Sequence, residues 1–161
     1  MTEITIRDLA IGDIGWLIQQ HAEAYALSDG FDQSFETLVA EILINFQRDN
    51  DPTCERAFIA TQGTQRLGSI FCVKSDVPDV AKLRLFFLVS DARGKGLGKR
   101  WLRECMDFAR ASGFTRMKLW TRESHGAACA LYANAGFILT ASEPTINFGQ
   151  KLVEQTWEIE L

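Results

Sequence analysis

The sequence predicts an α/β (α+β) fold, a central mixed β-sheet of about six to seven strands flanked by about four helices. Three observations predict it. Short apolar runs alternate with stretches of helical spacing, a glycine-rich turn joins one run to a helix, and that helix leads into a further strand. The stretch from residue 82 to 121 has the length that a right-handed parallel crossover requires. The chain has 161 residues, is 47% apolar and 24% charged, and carries 12 Gly against 3 Pro, which suits a single domain over 1–161.

The elements follow in order. Ile4–Leu9 reads as a first strand, and Ile14, Leu17, Ile18, His21 and Tyr25 then recur at helical spacing up to a Ser28-Asp29-Gly30 break. Asp32 or Ser34 caps a second helix with the face Phe35, Leu38, Ile42 and Phe46, stopped by Arg48-Asp49-Asn50-Asp51-Pro52. Ala57–Thr61 and Leu67–Lys74 make a hairpin over Gln62-Gly63-Thr64-Gln65. Lys82–Val89 is almost unbroken in apolarity, the mark of a central strand covered on both faces. Leu97, Trp101, Cys105, Phe108 and Ala109 form the stripe of a third helix closed by Gly113. Met117–Thr121 alternates as a strand, and a short helix runs from about Gly126 to Ala135 and ends at Gly136. Phe137–Ala141 and Gln155–Leu161 supply two terminal strands, separated by a loop containing Glu143-Pro144 and Gly149.

Charge narrows the partners. Lys plus Arg total 17 against 21 Asp plus Glu, so the net charge of −4 argues against nucleic-acid or anionic-membrane binding. No apolar run approaches the ~20 residues that cross a bilayer. The opening Met-Thr-Glu-Ile-Thr-Ile-Arg lacks a secretory profile, and a soluble, cytoplasmic protein is expected. Cys54, Cys72, Cys105 and Cys129 are widely spaced, so neither a structural disulfide nor a metal site is expected.

Gly94, Gly96 and Gly98 sit between a strand and a helix. Bare backbone there lets N–H groups approach an anion at a helix N-terminus, whose dipole also favours negative charge. Arg93, Lys95, Lys99, Arg100 and Arg103 concentrate cations beside them on an otherwise acidic chain, and the segment reads as a diphosphate cradle. A Walker loop is excluded because Gly98-Lys99 is followed by Arg100 where a hydroxyl should bind Mg²⁺. A dinucleotide fingerprint fails as well, since Lys99 or Trp101 stands where its third glycine belongs.

Arg93-x-x-Gly96-x-Gly98 resembles the Arg/Gln-x-x-Gly-x-Gly/Ala signature of the GNAT superfamily of acyl-CoA-dependent N-acyltransferases. Ala128-x-x-Leu131-Tyr132-x-x-x-Gly136-Phe137 looks like that family's second hallmark, and the element order matches across essentially the whole chain. Ala81-Lys82-Leu83-Arg84-Leu85, Leu119-Trp120-Thr121 and the ending from Phe148-Gly149 through Trp157-Glu158 are similar to the acetyltransferase half of proteins that fuse a MarR-type DNA-binding domain to a GNAT domain. Neither DNA binding nor transcriptional regulation is carried over.

The resemblance implies an N-acetyltransferase that moves an acetyl group from acetyl-CoA to a primary amine by direct attack in a ternary complex. It implies that the backbone of Phe86, Phe87 and Leu88 pairs with the pantetheine arm, the strands at 82–89 and 117–121 splaying to admit the thioester. Arg93, Gly94, Lys95, Gly96, Leu97, Gly98 and Lys99 would hold the pyrophosphate, and Tyr132 matches the family's tyrosine acid. A phenol, with an ordinary pKa of about 10, stays protonated at neutral pH and can donate to a departing thiolate. His125 stands where many members have Asn, and an imidazole offers one donor and one acceptor in a different geometry for cofactor contact. Family behaviour also suggests a homodimer.

The acceptor is expected to lie against the first two helices, their 26–34 connection and the 142–155 loop, with His21, Tyr25, Asp29 and Phe31 as candidate substrate wall. A small amine, an amino acid, a peptide N-terminus and a protein lysine all stay open. Three other readings compete. One is a non-catalytic acyl-CoA-binding or sensor module, the second a thiol enzyme using the i,i+4 pair His125 and Cys129, and the third a nucleic-acid-binding domain built on 93–103.

Overall fold

The computed structural model describes residues 2–161. The chain runs β1 (Ile4–Arg7), α1 (Asp13–Asp29), α2 (Gln33–Asp49), β2 (Arg56–Gln62), β3 (Gln65–Lys74), β4 (Val80–Leu88), a 3₁₀ turn (Ser90–Ala92), α3 (Leu97–Ala111), β5 (Arg116–Arg122), α4 (Gly126–Asn134), β6 (Ile138–Asn147) and β7 (Gln150–Glu160). The seven strands form one sheet in the order β1-β2-β3-β4-β5-β7-β6. Among the described residues only β4 and β5 pair in parallel, as the strand–helix–strand stretch predicts.

Local chemistry explains where the helices sit. Gly30, at φ 72°, ends α1 in the left-handed conformation, and its N–H bonds Ala26 O. Asp32, not Ser34, caps α2 by accepting the Ser34 N–H at 2.9 Å. At the start of α1 the buried Asp13 carboxylate accepts from Ala10 N–H at 2.7 Å and bridges Arg7 and Arg66, each at 2.7 Å. Burial alone would push its pKa up, but the two guanidinium groups hold it below the ordinary carboxylate range.

Each face of the sheet has its own apolar core. Leu17, Val39 and Leu43 of α1 and α2 pack with Ile59 and Phe71 on one face. Trp101, Leu102, Cys105 and Ala109 of α3 meet Leu83, Met117 and Leu119 on the other. Each fully buried Leu contributes about 1.5–3 kcal/mol, so the helices are fastened mainly by these stripes.

Strand β4 is irregular at the point that matters most. Leu85 adopts φ 48°, and the pairing slips between Ser69↔Phe87 and Phe71↔Arg84, which marks a β-bulge. Ser69 Oγ donates to Leu85 O at 2.7 Å and holds it. The extra residue lets Phe86 face α4, where it lies 6.4 Å from Tyr132, and Phe87 face α1, 4.9 Å from His21.

Two expectations are corrected. The segment 142–155 is not a loop: β6 and β7 continue to a tight turn at Phe148 and Gly149, whose φ values of 54° and 75° close a two-residue hairpin. Pro144 interrupts no ladder because β6 is the sheet's edge strand. Likewise, β4 is not covered on both faces along its whole length, for Phe86 and Leu88 are only half-buried where the strand stands apart from β5.

Candidate active site

Strands β4 and β5 pair only from Val80↔Arg116 to Lys82↔Lys118. Beyond that, the edges of Leu83–Leu88 and Leu119–Arg122 hold no ladder bond to each other, so their backbone groups are open to another partner. The splay named among the expectations is thus a property of the sheet.

At the end of β4 the 3₁₀ turn delivers the chain to the glycine loop. Arg93 Nε donates to Leu88 O at 3.0 Å and ties the loop to the strand. Gly94 and Gly96 lie at φ 75° and 74°, and a Cβ on either would meet nothing within 4 Å, so glycine is needed there for backbone conformation in open space. Among the described residues the N–H groups of 94–99 find no acceptor, whereas Arg93 N–H bonds Ser90 O and Arg100 N–H bonds Gly96 O. This is the positive end of α3, with Lys95 and Lys99 exposed beside it. Gly98 differs: a Cβ there would make ordinary van der Waals contact with Leu88 Cδ1 at 3.4 Å and Phe86 Cζ at 3.6 Å, so it lies where α3 packs on β4. Leu97 is 6% exposed; its side chain belongs to the core and only its N–H faces the loop.

Across the gap, α4 presents Tyr132 with its ring against Phe86 and Phe137. Burial, and after it the neighbouring Tyr25, push the phenol well above its ordinary pKa, and its hydroxyl makes no hydrogen bond among the described residues. His125 is the half-buried N-cap residue of α4, 6.4 Å from the Tyr25 ring. Burial, then the charge of Arg122 and more weakly Arg93, lower its pKa, so the ring is neutral at neutral pH. The Cys129 thiol points to Arg122 O at 3.7 Å and Gln155 Oε1 at 3.5 Å, and burial raises its pKa. No nucleophile pair with His125 forms.

The four candidate wall residues are brought together on the other side of the sheet. His21 is 2% exposed, Nδ1–H donates to Leu17 O at 2.8 Å, and burial takes its pKa down to about 4. It backs Tyr25, whose ring packs 6.1 Å from Phe31 and 5.1 Å from Phe35. Phe148, at the hairpin tip, closes on Phe31 and Phe35 at 4.9 and 5.0 Å, while Asp32 N–H bonds Phe148 O at 3.0 Å. Asp29 Oδ2 pairs with Arg122 Nε, and that guanidinium lies 4.5 Å above the Tyr25 ring. Sequence reasoning missed Phe35, Arg122 and Phe148 as members of this cluster. Arg122 lies just past the expected strand 117–121 and carries no role in the sequence reading, Phe148 enters it only through the family-like ending, and Phe35 only as part of a helix face.

The model of the acetyltransferase (GNAT) family matches residues 15–137. The chain belongs to the GNAT acetyltransferase family. Solved structures of the same fold include a GNAT acetyltransferase of Streptococcus pneumoniae, 19% identical over 99% of this chain and 100% of its own, with a TM-score of 0.73. A Salmonella typhimurium protein solved with its cofactor acetyl-CoA is 18% identical over 98% of this chain and 93% of its own, TM-score 0.78. Spermidine N-acetyltransferase from Vibrio cholerae, solved with CoA and spermine, is 18% identical over 98% and 95%, TM-score 0.74. No curated protein matches the chain.

GNAT acetyltransferases use acetyl-CoA, which agrees with the cofactor expected from the glycine-loop resemblance. Among the described residues of this GNAT acetyltransferase, no helix is long and apolar enough to cross a membrane, and no group of three or more His, Cys, Asp or Glu gathers to hold a metal. All four cysteines are free.

Proposed function

We propose that this chain is an N-acetyltransferase that moves the acetyl group of acetyl-CoA onto a primary amine by direct attack within a ternary complex. The observation that carries the reading is the row of free N–H groups at 94–99, lying at the end of a strand whose edge is itself open. A diphosphate fits that row, with Arg93, Lys95 and Lys99 neutralising it and Gly94, Gly96, Leu97 and Gly98 offering backbone alone. An extended, amide-bearing arm fits the Phe86–Leu88 edge by strand addition, and His125, at the N-cap of α4, is the residue proposed to meet it.

When bound, acetyl-CoA supplies an activated acyl carbon and a thiolate leaving group. Burial opposes the phenolate, so Tyr132 is protonated at neutral pH; it would donate that proton to the departing sulfur and be reprotonated by the proton the attacking nitrogen releases. An amine must attack uncharged. Arg93 and Arg122, which already depress His125, act in the same direction on an ammonium held beside them, so part of the deprotonation is electrostatic. Asp29 opposes this and orients the amine instead.

Kinship with the acetyltransferase half of MarR fusion proteins belongs to the same reading. Its matched segments fall on β4, β5 and the β6–β7 hairpin, which line the splay and the aromatic wall. A cytoplasmic setting is likewise inferred, supported by four free thiols. The test is thiol release from acetyl-CoA over a panel of amines: amine-dependent release supports the enzyme, and tight acetyl-CoA binding without release to any amine supports the sensor module.

A further inference from the structure

We propose that the acceptor is an amine that also carries a carboxylate, a free amino acid in its simplest form, gripped by Arg122 and Asp29; this rests on the transferase reading above. Arg122 is the last residue of β5, on the strand whose parting from β4 opens the gap, and three residues ahead of His125. It therefore stands between the Tyr132 helix and the aromatic wall.

A guanidinium has five N–H donors in a planar fork. Here Nε is taken by Asp29, and the flat face is stacked over Tyr25 and Phe31 at 4.5 and 5.6 Å. Stacking and the ion pair fix the plane of the fork. The guanidinium also donates a hydrogen bond to the Tyr25 side chain, and the Nη groups are not among the buried unpartnered atoms, so the fork reaches accessible space. Oδ1 of Asp29 is in the same position. Side by side, then, are an oriented guanidinium with accessible N–H donors and an acceptor-only oxygen, which is the complement of a carboxylate and an ammonium on one small molecule.

Charge points the same way. Arg93 and Arg122 both act on His125, and Asp29 is the acid that opposes them there. A polycationic acceptor meets net repulsion, whereas an amino acid places its carboxylate on the fork and its ammonium beside Asp29. A carboxamide keeps the shape of the acid but loses its charge and its second strong acceptor, which makes it the discriminating analogue.

The experiment compares kcat/KM for the common amino acids, their carboxamides, the corresponding decarboxylated amines and spermidine, each normalised to its neutral-amine fraction. The expected result is at least a tenfold preference for the best amino acid over its carboxamide and over spermidine in the wild-type protein. Arg122→Gln should abolish that preference through KM while acetyl-CoA affinity stays within about twofold, and Asp29→Asn, which leaves the Arg122 charge and its stacking in place, should raise KM for all amines and retain the preference. Equal or better use of carboxamides or spermidine by the wild-type protein overturns the proposal while leaving an amine acetyltransferase standing. Absence of transfer to every acceptor overturns the transferase reading and this one with it.

Discussion

Lys82 and Lys118 are the last residues at which β4 and β5 face each other in register, and both ammonium groups lie over the Trp120 ring, at 4.3 and 5.3 Å. The two strands part immediately beyond this clamp. An open strand edge and a glycine loop with free N–H groups then follow one another along a single path, the feature on which the proposed acetyl-CoA site rests.

The glycines of that loop should respond differently to alanine. Gly96→Ala forces a Cβ into the left-handed region, at about 1–2 kcal/mol, and should weaken acetyl-CoA binding at least tenfold. Gly98→Ala has ordinary φ and its Cβ meets only van der Waals contacts, so stability should change by less than about 1 kcal/mol. Urea unfolding and calorimetric titration of both variants check the contrast.

Tyr132→Phe keeps the ring between Phe86 and Phe137 and removes only the hydroxyl. Turnover should fall about 100-fold with acetyl-CoA affinity unchanged, as expected for loss of a general acid. Steady-state thiol release beside calorimetry separates the two quantities. Undiminished turnover would remove the assignment.

His21 makes stability depend on pH. Its folded pKa of about 4 lies below the unfolded value of about 6.5, so its contribution is complete above pH 6.5 and is lost as pH falls toward 4. Between pH 7.5 and 5 this amounts to about 2 kcal/mol. Urea titrations at several pH values should show that loss in the wild-type protein, and a flatter profile in His21→Gln. Equal slopes would mean that the imidazole is not buried neutral.

Asp13 should be the most costly carboxylate to neutralise. Asp13→Asn strands Arg7 and Arg66 against a buried neutral group and should destabilise the fold by about 3 kcal/mol. Because its folded pKa is depressed, the ion-pair contribution is present above the unfolded carboxylate range and disappears as pH falls through the folded value. Chemical denaturation at pH 7 measures the loss, and a change under 1 kcal/mol would contradict the paired geometry.

Much of this was legible because the signals are local. Apolar spacing located α1, α2 and α3, and a glycine run after a strand located the loop that opens α3, since both depend on residues a few positions apart. The outer half of the β6–β7 hairpin was not, because β6 is solvent-exposed and contains Pro144, and the turn has a Phe in the left-handed region, which no turn preference anticipates. The bulge at Leu85 was hidden for a similar reason: nothing in Leu85-Phe86-Phe87 says which Phe faces which helix until Ser69 captures the Leu85 carbonyl. Arg122 required the tertiary fold, as its partners Asp29, Tyr25 and Phe31 come from a distant helix and its connection.

The central claim is tested most directly by titrating isotopically labelled protein with acetyl-CoA and following its backbone amide resonances. The account predicts saturable binding with the largest shifts at the amides of 94–99 and along 86–88, and small ones across α2. Failure to bind at millimolar acetyl-CoA, or shifts that bypass the glycine loop, would contradict it.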